Sequence, residues 1–74
     1  MKISSEPKYE ILIYWSKDDE AFLAEVPELP GCMADGSTRA ESLRNAEKVI
    51  QQWIETAHAL GRPIPEPKGK LIYA

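Results

Sequence analysis

The strongest constraint on this chain is a single amphipathic helix with both of its ends marked in the sequence. Thr38-x-x-Glu41 reads as a capping box, in which the hydroxyl accepts one orphan N–H and the glutamate reaches back for another. Gly61 marks the stop, and Pro63 lies just past it. Between them Leu43, Ala46, Val49, Ile50, Trp53, Ile54, Ala57 and Leu60 fall within an arc of roughly 140° at 100° per residue. Glu41, Arg44, Glu47, Lys48, Gln51, Gln52 and Glu55 take the other side. One apolar stripe needs a second layer to pack against, and the rest of the chain supplies strands. "YEILIYWS" (9–16) and "AFLAEV" (21–26) are rich in β-branched and aromatic residues and flank a polar "KDDE", as a hairpin would. "CMA" (32–34) reads as a short third strand closed by an Asp35-Gly36 turn. After the extended "GRPIPEP" (61–67), "GKLIYA" (69–74) reads as a last strand. The expectation is an α+β domain of order β-β-β-α-β: a three-stranded antiparallel sheet, one packed helix and a short C-terminal strand.

The stretch "VPELPGCMADGST" (26–38) crowds two prolines, two glycines and the lone cysteine between strand and helix. It reads as a corner. Pro27 and Pro30 end a strand because proline cannot donate to the ladder. Leu29 packs inward, Gly31 allows a backbone angle that other residues resist, and Ser37 or Thr38 caps the helix. The strands themselves are apolar on both faces: Ile11, Ile13 and Trp15 against Leu12 and Tyr14, then Phe22, Ala24 and Val26 against Leu23. A single helix covers one face. At 74 residues the chain hides only about 60% of the surface its unfolded form exposes. Cys32 is alone, so no internal disulfide helps, and one Cys with one His (His58) makes no structural metal site. Oligomerisation remains, with Leu12, Tyr14 and Leu23 as the candidate interface between copies, in a homodimer or tetramer.

Charge narrows the function. The formal net charge is −3, and the basic residues are scattered, which argues against binding a phosphate backbone. The start, "MKISSEPKYE", has no apolar core for a signal peptide, and no run approaches a membrane span, so cytoplasm is the expected compartment. Cys32 with His58 as base is the one nucleophilic pairing available. The plainer reading is a small buried thiol and a solvated histidine outside the apolar stripe. Asp18, Asp19 and Glu20 share the hairpin turn and read first as a solvated turn. Gly31, Gly36, Gly61 and Gly69 fit no phosphate-loop spacing. No catalytic residue, cofactor or metal is expected. Trp53 lies on the helix stripe and reads as core, while Trp15, at a strand end, is divided between core and interface.

Taken in order, Pro27, Glu28, Leu29, Pro30, Gly31 and Cys32, then Gly36, Ser37 and Thr38, then Glu41, Asn45 and Ala46, then Gly61, Ile64, Pro65 and Pro67 form a pattern that resembles the HicB-like antitoxin family. The resemblance runs from about Tyr9 to Pro67. It implies a partial ribonuclease-H-like fold that performs no catalysis. It also implies a partner, a small basic HicA-type toxin that cleaves mRNA with its own histidine and whose active site the antitoxin masks. Family members are similar in assembling as dimers or larger oligomers. Many continue into a DNA-binding domain, but here seven residues follow Pro67, so direct nucleic-acid binding is not expected. The expected organisation is a leader over 1–8 and one domain over 9–74. The first candidates for toxin contact are the acidic Asp18, Asp19, Glu20 and Glu25, with Trp15. Two rival readings stand beside this one. The first is an orphan homo-oligomeric scaffold or small-ligand binder. The second is a nuclease, which would need three or four convergent carboxylates with Mg²⁺, whereas Glu10 and Glu25 are the only acids inside the strands.

Overall fold

A computed structural model describes residues 8–67. The leader, apart from Lys8, and the strand expected over 69–74 lie outside the described residues. Three strands, β1 (Leu12–Ser16), β2 (Ala21–Glu25) and β3 (Met33–Gly36), form an antiparallel sheet of order β1-β2-β3, and α1 (Arg39–Ala59) packs on one side. The α+β class is as the sequence predicts. Leu12 pairs with Glu25, Tyr14 with Leu23 and Ser16 with Ala21. Phe22 pairs with Gly36, Ala24 with Ala34, and Glu25 with Met33.

The corner from Val26 to Cys32 consists of two consecutive turns. The Leu29 N–H donates to the Val26 carbonyl at 3.1 Å, and the Cys32 N–H to the Leu29 carbonyl at 3.0 Å. Pro27 and Pro30 each take the first central position, where a fixed φ suits the turn. Gly31 follows Pro30 with φ +79°, the left-handed value that a type II turn demands at its second central residue. The Val26 N–H donates across the base of the corner to the Cys32 carbonyl at 3.1 Å. The corner also explains why β1 begins at Leu12 rather than at Tyr9. Its antiparallel partner leaves the ladder after Glu25: continuing the register would set Pro27 opposite Glu10, and Pro27 has no N–H to donate.

Leu29, at the middle of the corner, is fully buried. It joins Tyr9, Val26, Cys32 and Ile50 in the core, with Ile11, Val49, Trp53 and Ile54 packed around them. The Trp53 indole N–H donates to the Pro30 carbonyl at 3.0 Å, latching helix to corner. Tyr9 sends its hydroxyl to the Pro65 carbonyl, so the chain leaving the helix returns to the start of the domain.

Thr38 is the N-cap: its hydroxyl accepts from the Glu41 N–H at 3.0 Å. The Glu41 carboxylate reaches one residue further back than a standard capping box. It accepts from both the N–H (2.5 Å) and the hydroxyl (2.8 Å) of Ser37. At the other end Gly61, φ +70°, donates to the His58 carbonyl at 3.2 Å, and the Arg62 N–H to Ala57 at 2.8 Å. This pair of bonds is a Schellman motif.

Two sequence expectations need correction. Asp35-Gly36 is not a turn: β3 runs through both residues, and Gly36 pairs with Phe22. Glycine is there for clearance, since a Cβ at Gly36 would sit 2.5 Å from the Ser42 backbone nitrogen. The helix therefore rests on its backbone there. Ser42 is buried, its hydroxyl donating to the Arg39 carbonyl at 2.9 Å, although periodicity had not placed it in the stripe. The buried residues of the helix are Ser42, Ala46, Ile50 and Ala57. Leu43 and Leu60 are exposed instead, Leu60 lying at the C-cap.

Candidate functional site

Strand alternation and register sort the sheet into two faces. Ile13, Trp15, Phe22, Ala24, Ala34 and Gly36 are on the helix side. Leu12, Tyr14 and Ser16, then Ala21, Leu23 and Glu25, then Met33 and Asp35 are on the other. No described element packs on that outer face. Leu12 is 45% exposed, Tyr14 42% and Met33 47%. Leu23, at the centre, is half-buried among them. Cross-strand rows read Leu12–Glu25–Met33 and Tyr14–Leu23–Asp35, so apolar and acidic groups alternate over the face.

The face has its own polar order. The Tyr14 hydroxyl donates diagonally to the Glu25 carboxylate. That bond, then partial burial and the charges of Glu25 and Asp19, hold the phenol above its ordinary pKa. Asp19 lines a shallow hollow with Leu23, Met33, Ala34 and Asp35 at the turn end of the face. Its carboxylate accepts from the Ser16 hydroxyl at 2.8 Å, and its N–H donates to the same hydroxyl at 3.3 Å. Asp18 and Glu20 are exposed in the same turn, and Glu20 takes the left-handed φ of +51° where many hairpins place glycine.

The sequence had assigned Leu12, Tyr14 and Leu23 to one role and Glu25 with the turn acids to another. The structure places Leu12, Tyr14, Leu23 and Glu25 on one face, with Asp19 at its turn end. Trp15 is separate. It lies on the helix side, 52% exposed, on the strand that the helix contacts least. Its ring meets Phe22 edge-on at 5.1 Å, and the Arg39 guanidinium sits 4.8 Å from the Phe22 centroid on a neighbouring approach. Met33 and Asp35 were missed as face residues. With Leu29 and Cys32 buried, the alternation through Cys32 and Ala34 already turns 33 and 35 outward.

The nucleophilic pairing is not assembled. Cys32 is buried, and burial pushes its thiol pKa up, which lowers the thiolate fraction. His58 is exposed in the last turn of the helix. Among the described residues no group of three or more His, Cys, Asp or Glu is placed to hold a metal ion. No helix among them is long and apolar enough to cross a membrane. Pro27, Leu29, Pro30, Gly31, Gly36, Thr38, Glu41 and Gly61 all act in the corner, the caps and the helix seat described above.

The fold and this surface define a small α+β module that presents an apolar and acidic sheet face. The particular family follows from comparison. Residues 9–71 match the model of the HicB-like antitoxin of bacterial toxin-antitoxin systems, and the chain belongs to that family. The UPF0150 protein Ta0767 of Thermoplasma acidophilum is 33% identical over 66 residues, covering 88% of this chain and 93% of its own length. The UPF0150 protein ssl0259 of Synechocystis sp. is 35% identical over 63 residues, covering 85% of each. No solved structure matches the chain.

Proposed function

We propose that this protein is an antitoxin that binds and neutralises a small, basic, mRNA-cleaving toxin of the HicA type in the cytoplasm, by masking and without catalysis of its own. The observation that carries the reading is the family match over nearly the whole domain. The acidic and apolar sheet face is in keeping with it, because a basic partner needs such a surface. Removing toxin activity requires only occupancy of the toxin's active site. The reading therefore asks for no reactive group here, and the buried Cys32 and solvated His58 suit it.

The test is growth rescue. Expression of a HicA-type toxin from the source cells arrests growth, and co-expression of this protein restores it, while the purified protein leaves RNA intact with or without Mg²⁺. Continued arrest at equal expression would sink the proposal, and metal-dependent cleavage by the purified protein would sink its non-catalytic part. A second reading, a homo-oligomeric scaffold or small-ligand binder without a toxin, draws on one observation: Leu12, Tyr14 and Met33 are exposed together. Recovery of the self-associated protein alone from source cells at low salt would favour it.

A further inference from the structure

We infer that the outer face of the sheet is the surface that takes the toxin, and that it is not a contact between copies of this chain. The inference rests on the antitoxin reading above and names the partner surface for it: an apolar patch on the toxin bordered by Lys or Arg.

Apolar exposure alone would suit a second copy equally well. Charge separates the two. None of the outward strand positions carries Lys or Arg, whereas Glu25 and Asp35 lie within the face and Asp19 borders its hollow. The helix, by contrast, is balanced, with Arg39, Arg44 and Lys48 against Glu41, Glu47 and Glu55. The acidic excess of the chain is thus carried by the sheet side. A twofold contact is self-complementary, so the same patch meets itself. Packing this face on itself would bring two sets of carboxylates into one partly dehydrated contact with no Lys or Arg at a described outward strand position to pair them, Lys17 lying outside the strands in the hairpin turn. Carboxylates buried without a counter-charge are strongly unfavourable.

A basic partner reverses the sign of that term. Tyr14 already holds one oxygen of Glu25, which fixes the carboxylate in a single place on the face. A fixed carboxylate costs a partner's guanidinium less to engage than a free one. Leu12 and Met33 flank Glu25 in the same row and would exclude water around it once a partner covers the face. Met33 adds adaptability, since an unbranched thioether fits irregular surfaces. The arrangement of apolar anchors around desolvated charge is that of an interface centre.

The experiment measures binding of the full chain to a purified HicA-type toxin carrying a substitution of its catalytic histidine. Rates are read at low and physiological salt, and light scattering reads the mass of each antitoxin variant alone. E25K/D35K should slow association about tenfold at low salt and flatten its salt dependence. L12S/M33S should speed dissociation by about tenfold. E47K/E55K, on the helix, should stay within about twofold of wild type. All three should keep the wild-type mass. A melting curve verifies folding, and if E25K/D35K does not fold, L12S/M33S carries the test. Wild-type binding by both face variants overturns this inference and leaves the antitoxin reading standing. A drop in self-associated mass in either face variant overturns it too, by making the face a contact between copies. Failure of the wild-type protein to bind any such toxin overturns both.

Discussion

Gly36 and Ser42 are a pair: the glycine lets the start of the helix sit directly against the backbone of β3. A Cβ at Gly36 would meet backbone, not a side chain that can swing away. Gly36→Ala should therefore destabilise by ~1–3 kcal/mol through overpacking, read as a lower urea midpoint. Gly31 and Gly61 have open space around the missing Cβ but left-handed φ. Alanine there should cost ~1–2 kcal/mol for a different reason. Asparagine separates the two causes: it tolerates left-handed φ, so it should recover part of the loss at Gly31 and Gly61 and make Gly36 worse. Glu20 presents the converse case, a non-glycine residue at φ +51°. Glu20→Gly should be neutral or stabilising by up to ~1 kcal/mol, as strain relief is set against added freedom in the unfolded chain.

At the scale of elements, the helix was legible because its ends depend on local chemistry. Thr38 and Gly61 do what their residue types dictate wherever they occur. Thr38→Ala should cost about 0.5–2 kcal/mol. The two bonds from Ser37 lower the pKa of Glu41 from the ordinary glutamate value, the backbone N–H contributing most. Because the folded value lies below the unfolded one, this contribution is present at neutral pH and fades as pH falls through the folded value. The stability gap between wild type and Glu41→Gln should accordingly narrow on going from pH 7 to about pH 3. The strands were less legible, since their ends are set by partners distant in sequence. β1 stops short of Tyr9 because the partner strand turns into the corner, where Pro27 has no N–H to continue the ladder. β3 runs on through Asp35 and Gly36 because Phe22 is there to pair with Gly36, and Asn45 donates to the Asp35 carbonyl at 2.8 Å. Ser42 escaped the periodicity argument because a hydrophobic count ignores small polar residues. Gly36 was the available sign of a close approach, but it read as a turn. The outer face was half legible: its apolar members showed as a broken alternation, whereas their union with Glu25 and Asp35 needed the register.

For the whole molecule, stability is small and its core is concentrated. A chain of this length has about 4–11 kcal/mol to lose. Leu29 is fully buried at the meeting point of corner, sheet and helix. Leu29→Ala should cost ~2–5 kcal/mol, enough to leave a large unfolded fraction in a melting curve. Cys32 reports the same event from within, since its buried thiol should resist iodoacetamide until the molecule opens and then label in proportion to the population of the open form. The Tyr9 to Pro65 bond spans 56 positions of chain. A contact of such long range closes a large loop, and the entropy of that closure favours its forming after the elements between its ends. It acts as a late latch and should be absent from the transition state. Tyr9→Phe should then leave the folding rate nearly unchanged and raise the unfolding rate by the full change in stability. The lifetime of the folded molecule, as distinct from how quickly it is made, would rest in part on one phenol hydroxyl.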